Sequence, residues 1–580
     1  MDRNTVLRWV VIAAAILLFM KFGMPLIRGG DKPQSVPEEA YISAPGFVSD
    51  VLDPHKDGLP VQPPPEGELC EIGGNRFDAT LSTRGAAVVH FYLTDKRYAG
   101  SGGFDMSTTP DHERWRSLRT LFRGSEAHDQ VKFDRFPWKL ERLADKKGCV
   151  FTYEDELVKI TKRVTASARP FELDVETELQ NVAAAPKKHQ LTIGAYAFRR
   201  NEEVSGKLGR VSPFQSELSC AQAKEVVRHG KDDFKEGWKT VQGIDRYAAI
   251  SNYYFGQALV PQGSDVRPDC SVLSEDWVGA GQARDDDKAG AVYHAKLVYP
   301  TRELAPQDKA TYRQIAFFGP KEREVLATAA GGAPQLGDLI NLGFFSPVAK
   351  VLIGFLVLLH DKVTFGNWGL AIILMTICVR VLLFPLTWKS IKATVGMRKL
   401  KPEVDAINEK FADDAQAKNL AMMELWKKHG VNPFGGCLPQ LVQMPVWFAM
   451  YTTLQTAVEM YHTRFLWFSD LSEPDKYFVL PLVLGGFMIL QQRIIPQQPG
   501  MDPAQAKMMM WLMPAIFTVM MLFLPAALGV YMLTNSILGI VQQLAVEKFA
   551  PSGGTKKSGE ISVEEIAGSK VQLGKGKARV

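Results

Sequence analysis

The sequence predicts a polytopic α-helical membrane protein that also carries a large antiparallel β-sandwich domain. Its 580 residues are too many for one ordinary domain, so two or more folding units are expected. Residues 29–330 have the mixed composition of a globular domain, whereas 340–550 contain long apolar runs with few charges. The formal net charge of +5 is small for this length and does not indicate a nucleic-acid-binding protein.

The amino-terminal segment 1–28 is expected to be a membrane anchor. Arg3 and Arg8 precede a run of twelve apolar residues, and no small-residue cleavage site follows. We interpret it as an uncleaved signal anchor, rather than a signal peptide that is removed, with its basic end in the cytoplasm and the following residues exported. Residues 29–66 contain eight prolines and no periodic apolar pattern, which is typical of an extended linker.

Residues 67–330 alternate apolar and polar side chains in short runs between turn signals. Examples are LVKITKRVTA, FELDVETELQNV and TYRQIAFFG, which are rich in β-branched and aromatic residues. Alternation over so many segments predicts an antiparallel β-sandwich. The aromatic run at 246–261 fits either core packing or the lining of a cleft, and core packing is favoured. The histidines and carboxylates lack metal-ligand spacing, so no metal site is expected here.

Four of the six cysteines, Cys70, Cys149, Cys220 and Cys270, lie in this exported domain. An oxidising compartment would allow up to two disulfides, and the sequence does not rank the three possible pairings. Free buried thiols are an equal alternative.

The membrane half contains five candidate spans, each close to the ~20 residues that a bilayer requires. They are 366–386, 434–455, 478–495, 508–524 and 526–546, and the amino-terminal anchor makes six. A further apolar segment lies at 340–361. If it crossed the bilayer, the Lys- and Arg-rich residues 387–433 would face outward, against the positive-inside rule. We therefore expect 340–361 to be an interfacial amphipathic helix.

The charges of the connecting segments agree with this topology. Residues 389–428 carry nine Lys and Arg against six Asp and Glu, and they are placed in the cytoplasm. The outer loop 456–477 has two basic and four acidic residues, and the basic tail 548–580 has seven and three and is cytoplasmic. The sequence thus predicts a five-span core at 366–547, with both chain ends in the cytoplasm.

Residues 390–430 are expected to form a cytoplasmic helical hairpin. Apolar residues recur at helical spacing in two stretches, which are Val404, Ile407 and Phe411, and then Leu420, Met423 and Trp426. These stripes fit mutual packing of the two helices, a docking surface for a ribosome or targeting factor, or both. The basic residues expected to take part in docking are Arg398, Lys399, Lys401, Lys427 and Lys428.

Three candidate spans each carry one polar face on an otherwise apolar helix. The faces are Thr376, Arg380 and Thr387 on the first span, Gln440, Gln443, Trp447 and Tyr451 on the second, and Tyr531, Asn535 and Gln542 on the last. Pro439 and Pro445 are expected to bend the second span.

Arg380 is a cation in the middle of an apolar run. Insertion of an arginine near mid-bilayer costs at least ~2.5 to 3.5 kcal/mol, so it requires a counter-ion, carbonyl groups or water. Interior ion pairing and snorkelling to an interface are two explanations. However, the spans offer no acidic residue at matching depth, and Arg380 lies several residues from either end of its span. We favour a third explanation, a water-filled cavity within the membrane.

Four stretches carry a resemblance, namely GNWGLAIILMTICVRVLLFPL, MRKLKPEVDAINEKF, VNPFGGCLPQLVQMPVWFAMY and FLWFSDLSEPDKYFVLPL. The chain resembles the YidC membrane protein insertases of the YidC/Oxa/Alb family, in the Gram-negative form with a large periplasmic domain. The order of anchor, β-sandwich, interfacial helix and five further spans is also similar. The resemblance is specific over 340–550 and architectural over 67–330.

The resemblance implies a hydrophilic groove that opens to the cytoplasm and to lipid, with Arg380 as its positive centre. Thr376 matches a groove position, Met444 and Trp447 match contacts with the incoming segment, and Tyr531 matches an aromatic contact on the last span. Met532 stands where some relatives carry a second tyrosine. Together with the polar faces, the expected client groove is Arg380, Thr376, Gln440, Gln443, Met444, Trp447, Tyr531 and Asn535.

The resemblance also implies an insertase and chaperone of inner-membrane proteins that acts alone or with the Sec translocon. The implied partners are nascent membrane proteins, the Sec translocon, the ribosome, signal recognition components and the lipid bilayer, with no sequence-specific nucleic acid. We expect no enzyme activity, cofactor or metal, and the chain has no GxxxxGK[ST] loop for ATP. The alternatives are a translocon-associated assembly scaffold and a secondary transporter, although we find neither inverted repeats nor an intramembrane carboxylate in the sequence.

Overall fold

The computed structural model describes residues 67–99, 103–110, 115–122, 138–204, 212–263, 266–279, 283, 286–332, 335–411, 414–429, 438–494 and 503–549. The backbone alone is described at 99, 393–399, 401, 415, 438–442, 503–507 and 509. The predicted anchor 1–28, the linker 29–66 and residues 550–580 of the predicted tail lie outside the described residues. The chain divides into a β-rich unit, which ends at Asn341 but also includes Thr456–His462, and a helical unit, which contains Leu342–Gln455 and the residues from Thr463 onward.

The described part of the β-rich unit is built from short strands and a few helical turns. The strands are β1 (Leu69–Gly74), β2 (Phe77–Ser82), β3 (Ala87–Leu93), β4 (Phe104–Asp105), β5 (Thr120–Phe122), β6 (Lys139–Arg142), β7 (Gly148–Glu154), β8 (Val158–Ala166), β9 (Glu172–Asn181), β10 (Lys187–His189), β11 (Leu191–Arg200), β12 (Glu217–Ala221), β13 (Val226–His229), β14 (Lys239–Val241), β15 (Tyr247–Ser251), β16 (Phe255–Gln262), β17 (Asp269–Trp277), β18 (Gly290–Val298), β19 (Arg302–Leu304) and β20 (Lys309–Pro320). The short α-helices are α1 (Lys96–Ala99), α2 (Asn201–Val204) and α3 (Arg323–Thr328).

These strands form two large and two small sheets. The orders are β13-β12-β15-β16-β20-β9-β8-β7-β6, β14-β17-β18-β11-β5, β1-β2-β3-β4 and β10-β19. Neighbouring strands pair antiparallel, so the predicted antiparallel architecture is confirmed.

In several strands, the alternation of side chains places the apolar residues on one face. In β8, Val158, Ile160 and Val164 are buried, and Ile160 stands opposite Leu179 of β9. Because side chains in a strand alternate between faces, this register directs all of these residues to the core. The aromatic run at 246–261 is buried on both faces of its strands. Tyr247, Tyr254 and Phe255 belong to the buried core cluster, so the core-packing interpretation is confirmed.

Two disulfides connect different sheets of the β-rich unit. Cys70 of β1 is bonded to Cys149 of β7, with 6.5 Å between the two Cα atoms. Cys220 of β12 is bonded to Cys270 of β17, with 5.8 Å between the Cα atoms. The second bond therefore joins the two large sheets across the core. Both separations lie within the range that a disulfide spans.

A short segment from the second half of the sequence completes the β-rich unit. Val458 belongs to the core cluster of that unit. A carboxylate oxygen of Glu459 accepts a hydrogen bond from the Arg323 guanidinium at 2.7 Å, and the Tyr461 ring lies 5.5 Å from that of Tyr254. The predicted outer loop 456–477 is thus divided between the two units.

The helical unit consists of nine helices in the described part of the chain. They are α4 (Ser346–Lys362), α5 (Trp368–Leu382), α6 (Phe384–Lys399), α7 (Lys401–Lys410), α8 (Ala415–Lys428), α9 (Leu438–Thr456), α10 (Val479–Ile494), α11 (Pro503–Met521) and α12 (Ala526–Phe549). Helix α12 packs against α5, α6 and α10, and α10 also packs against α11.

The first candidate span does not continue as one straight helix through 366–386. Helix α5 ends at Leu382, and the chain bends by 58° into the first part of α6. Pro385 is the second residue of α6. Because proline lacks an N–H and disfavours a helical preceding residue, it is accommodated at the start of a new helix and not inside a continuous one.

The length and apolarity of the helices bear on membrane crossing. Among the described residues, Ala526–Phe549 is long and apolar enough to cross a bilayer, and the bent pair Trp368–Leu382 and Phe384–Lys392 would be a second such element if it forms one span. Val479–Ile494 and Met510–Met521 are apolar but shorter.

Candidate functional site

Arg380 lies in the last turn of α5. The helix begins after Asn367, whose side-chain oxygen accepts a hydrogen bond from the backbone N–H of Leu370. Such a cap satisfies a donor that has no partner within the helix. At the opposite end, the last carbonyl groups of the helix carry a partial negative charge, which favours a cation in the last turn.

The guanidinium of Arg380 is held by amide groups of α12. Its Nε donates to the side-chain Oδ1 of Asn535 at 2.7 Å, and its Nη2 donates to the backbone carbonyl of Asn535 at 2.9 Å. Its Nη1 donates to Oε1 of Gln542 at 3.2 Å, and Nε2 of Gln542 donates back to the backbone carbonyl of Arg380 at 3.2 Å. Gln443 of α9 joins this network, because its Nε2 donates to Oδ1 of Asn535 at 3.2 Å.

No aspartate or glutamate in the described part of the chain forms an ion pair with Arg380. Asn535 and Gln542 are seven residues apart and therefore lie on one face of α12. Their oxygens satisfy the guanidinium N–H groups without cancelling the positive charge. The arrangement therefore fixes a cation in place and leaves its charge available to a ligand.

Arg380 forms part of the wall of a cavity of about 530 Å³. The polar lining residues are Arg380, Thr387, Ser390, Gln443, Gln491, Asn535, Ser536, Gln542 and Gln543. The remaining lining residues are Ile391, Met444, Trp447, Phe448, Met488, Phe517, Met532 and Gly539. The cavity thus combines one cation and several amides with a surface of methionine and aromatic side chains.

Gly539 keeps part of this cavity open. A Cβ atom at this position would lie 3.1 Å from Nε2 of Gln491 and 3.4 Å from Nη2 of Arg380. Both distances are at or below normal van der Waals contact, so a side chain here would press on the polar groups. The absence of a side chain leaves room between α10, α12 and the guanidinium.

Comparison with known proteins finds a family model that matches each of the two parts of the chain. The family model described as "YidC periplasmic domain" matches residues 70–355, and the model "60Kd inner membrane protein" matches 359–553. A protein of Anaeromyxobacter sp. (strain K), named "Membrane protein insertase YidC", is 32% identical over 83% of this chain and 85% of its own length. The chain belongs to the YidC family.

Other members of the family are similar over comparable lengths. A protein of Shewanella frigidimarina with the same name is 31% identical over 88% of this chain and 91% of its own. The structural comparison includes a solved structure described as "Active YidC insertase crystal structure with the first transmembrane domain resolved". It is 18% identical, with a TM-score of 0.34, and the match covers 94% of this chain and 99% of that one.

Five of the residues expected in the groove line the cavity, namely Arg380, Gln443, Met444, Trp447 and Asn535. Thr376 and Tyr531 are buried and do not belong to the lining. The Thr376 hydroxyl donates to the backbone carbonyl of Ile372 at 2.7 Å. Gln440 belongs to α9, but its side chain lies outside the described residues. The role of these residues toward a client stays a prediction.

Several lining residues were absent from the predicted groove. Gln491 lies near the end of α10, where a polar residue resembles the end of a span and not part of a site. Ser390 lies in α6, after the bend. The predicted span 366–386 was a single helix without this bend, and it ended before Ser390. Met532 lines the cavity, although the predicted aromatic contact was its neighbour Tyr531. Methionine in an apolar helix gives no sequence signal that separates cavity lining from lipid contact.

The predicted hairpin 390–430 contains α7 and α8, which pack against each other. Val404 and Ile407 of α7 are buried in their common cluster, with Phe411 packed against it, as the first stripe predicts. Lys427 and Lys428 are exposed in the last turn of α8. The side chains of Arg398, Lys399 and Lys401 lie outside the described residues, and a docking role for this surface stays a prediction.

The second stripe of the hairpin agrees with the prediction at Trp426, which packs against this cluster, but not at its other two residues. Ala421, Met422 and Leu425 are buried against α7, whereas Leu420 and Met423 are exposed. Helix α8 has apolar residues on more than one face, so spacing alone did not select the buried one. Ala421 is small enough to let the two helices approach closely, and Leu420 and Met423, which lie on other faces of α8, remain outside the contact.

In the described part of the chain, no group of three or more His, Cys, Asp or Glu side chains is arranged to hold a metal ion. The chemistry that the cavity offers is therefore that of a guanidinium, neutral amides, hydroxyls and apolar side chains. Such groups bind by charge, hydrogen bonding and apolar contact.

Proposed function

We propose that this chain inserts membrane proteins into the bacterial inner membrane, assists their folding there, and uses the cavity around Arg380 to receive the polar segment of a client. The observation that carries the proposal is the network in which Asn535 and Gln542 hold the guanidinium without neutralising it. The curated relatives support it, since they bear the name membrane protein insertase.

The cavity lowers the cost of bringing a charged client segment into the bilayer. An acidic side chain near mid-membrane costs ~2.5 to 3.5 kcal/mol on insertion scales. A unit charge at ~4 Å from a guanidinium gains ~4 kcal/mol at an effective dielectric constant of ~20. The attraction is of the same size as the cost, so Arg380 would offset most of it. The amides around the cavity would bind the uncharged polar groups of the same segment.

The apolar part of the lining suits the hydrophobic segment that follows. Met444 and Trp447 of α9, together with Met488 and Met532, present flexible or aromatic surface beside the polar network. Methionine adapts to side chains of many shapes, which suits a protein with varied clients. Transfer of the client's apolar segment from this surface to lipid would be driven by the removal of apolar area from water, at ~25 cal/mol per Å².

The topology that we propose has six spans and places both chain ends in the cytoplasm, with the β-rich unit in the periplasm. The amino-terminal anchor would be the first span, the bent pair α5–α6 the second, and α9, α10, α11 and α12 the others. Helix α4 would lie at the membrane interface. The distribution of Lys and Arg between the connecting segments supports this orientation.

The proposed partners beyond nascent membrane proteins are the Sec translocon, the ribosome and signal recognition components. Lys427 and Lys428, exposed at the end of α8, support a role of the hairpin in docking such partners. Their positive charge would attract acidic protein or ribosomal RNA backbone without reading a base sequence.

The proposal is tested with the purified full chain in proteoliposomes and a client whose short acidic tail must cross the membrane. We expect Arg380→Ala to lower the initial rate of insertion by about tenfold or more, because the lost attraction of ~4 kcal/mol exceeds the 1.4 kcal/mol that a tenfold change requires. Arg493→Ala, at an exposed position on α10, is the matched control and should insert the client normally.

The outcomes of this experiment separate the proposal from its alternatives. Normal insertion by Arg380→Ala would contradict the proposed use of the cavity. A scaffold that acts only on other machinery would insert no client in these vesicles, with or without Arg380. Counter-transport of a labelled small solute that depends on Arg380, without insertion of the client, would indicate a secondary transporter.

A further inference from the structure

Five large apolar or aromatic side chains project from one end of the helical unit. They come from the turn between α4 and α5 and from the loop between α9 and α10, and we call them the collar: Phe365, Leu466, Trp467, Tyr477 and Phe478. Phe365 is 95% exposed, Leu466 72% and Tyr477 70%. Loops that face water rarely present side chains of this kind so fully.

The loop that carries most of the collar is fixed to the amino-terminal ends of three helices. The ring of Phe465 fills the space above Gly369 of α5, where a Cβ atom would lie 2.2 Å from it. The backbone N–H of Ala527, at the start of α12, donates to the carbonyl of Leu471 at 2.9 Å. The N–H of Leu480 in α10 donates to Oδ2 of Asp475 at 2.7 Å. The collar residues are therefore held at one level of the helical unit.

The backbone is strained at three collar positions. The φ angles of Phe365, Leu466 and Phe478 are 51°, 50° and 57°, in the left-handed region that bulky residues avoid. Surrounding structure must impose such a conformation, and strained residues of this kind concentrate where they serve a function. At these three positions the side chains are apolar and exposed. In water, exposing them would bring no gain in free energy to offset the backbone strain.

Two carboxylates of the same loop are turned toward the interior of the protein. Asp470 and Asp475 are buried. Asp470 accepts from the backbone N–H of Ser472 at 2.8 Å, and Asp475 accepts from that of Tyr477 at 3.1 Å. At the surface, Lys476 and Glu473 pair with each other at 3.2 Å. The loop thus buries two of its carboxylates, while the four collar residues that it carries stay exposed beside charged side chains such as Arg464 and Lys476.

We infer that the collar is a lipid-binding surface that lies at the boundary between the headgroups and the acyl chains of the bilayer. Its apolar surface continues onto the exposed Val479 and Leu482 of α10 and Leu370 of α5. Trp467 and Tyr477 have the combination of apolar ring and polar group that places these residues at membrane interfaces.

The collar also sets the depth of the charged cavity. Along α5, a rise of ~1.5 Å per residue places Arg380 ~18 Å from Trp368, which follows the collar turn. The hydrocarbon layer is ~30 Å thick, so a collar at its boundary holds the guanidinium well inside it. This consequence is independent of whether a client occupies the cavity. Normal insertion by Arg380→Ala, which would contradict the proposed function, would therefore leave the inference about the collar unaffected.

The inference is tested by lipid photolabelling of the full chain in vesicles of phosphatidylethanolamine and phosphatidylglycerol. A diazirine analogue of leucine replaces Leu466, a change that keeps the size of the side chain. The matched control carries the same analogue at Leu69, an exposed leucine of the β-rich unit. A second probe, a diazirine analogue of phenylalanine at Tyr477, guards against a local effect of the first.

After irradiation, mass spectrometry measures the lipid adducts at each position. We expect lipid adducts at Leu466 and Tyr477 at least tenfold above those at Leu69, with the adducts on the glycerol and upper acyl region of the lipid. Adducts at Leu466 and Tyr477 that do not exceed those at Leu69, or that consist of water and protein alone, would overturn the inference.

Discussion

Arg380 donates hydrogen bonds to Asn535 and Gln542, whose oxygens carry only partial charges. A carboxylate in the same place would bind the guanidinium more strongly but would remove the charge that a client could use. The network therefore stabilises the position of the cation within an apolar helix and preserves its attraction for acidic groups.

The first prediction for single residues concerns Arg380, and it distinguishes the effect of its charge from the effect of its shape. Arg380→Lys keeps the charge but loses the planar fork that binds Asn535 and Gln542 together. Because the account rests on charge, we expect the lysine variant to retain insertion within about threefold of the unchanged chain, whereas Arg380→Ala loses it. Initial rates in proteoliposomes measure both. A lysine variant as inactive as the alanine variant would refute the electrostatic explanation.

The second prediction keeps Arg380 and neutralises its charge with a new carboxylate beside it. Asn535→Asp changes the amide that accepts from Nε of Arg380, at 2.7 Å, into a carboxylate of nearly the same shape. The new ion pair should cancel the field in the cavity and lower insertion of acidic-tailed clients by about tenfold, with unchanged or raised thermal stability. Asn535→Gln, which remains neutral, is the control. Normal activity of the aspartate variant would mean that the charge is not used.

The sequence predicted part of this site at the level of residues. Polar side chains at helical spacing identified Arg380, Gln443 and Asn535, because a polar residue inside an apolar helix is conspicuous. Gln491 was missed because it stands near the end of its helix, where polar residues are ordinary. The bonding of Arg380 to a backbone carbonyl could not be predicted, since it depends on how closely α5 approaches α12.

At the scale of secondary-structure elements, the helices lie in the predicted apolar segments. The positions at which a helix ends inside such a segment were not predicted. The chain bends between α5 and α6 because Pro385 begins a new helix, and Ser390 then reaches the cavity. The two faces of α8 illustrate a related limit, since both have apolar residues at helical spacing. Only the fit to α7 decides that the face with Ala421 is buried.

A prediction at this scale concerns the space between α10 and α12. Gly539→Leu would place a side chain against Gln491 and Arg380 and fill part of the cavity. We expect insertion of polar-tailed clients to fall by about tenfold, because the client segment and the new side chain compete for the same volume. Gly486→Leu on α10, where an added Cβ atom would have no neighbour within 4 Å, is the control and should be active. Equal activity of both variants would show that this volume is not used.

At the scale of the whole molecule, the predicted combination of a β-sandwich and a helical part agrees with the two units. The antiparallel sheets followed from alternation, which is a local property of each strand. The pairing of Cys220 with Cys270 did not, because it depends on which strands of the two large sheets lie opposite each other. The contribution of Thr456–His462 to the β-rich unit was missed for the same reason, since its neighbours lie far away in the sequence.

The central claim is that the polar segment of a client occupies the cavity beside Arg380. Site-specific photo-crosslinking to a stalled nascent membrane protein tests it most directly, with the probe at Met444 or Trp447 in the cavity wall and at Leu482 on the exposed side of α10. We expect crosslinks from Met444 and Trp447 to the client segment that must cross, and none to that segment from Leu482. Crosslinks of that segment to Leu482 alone, or equally to all three positions, would contradict it.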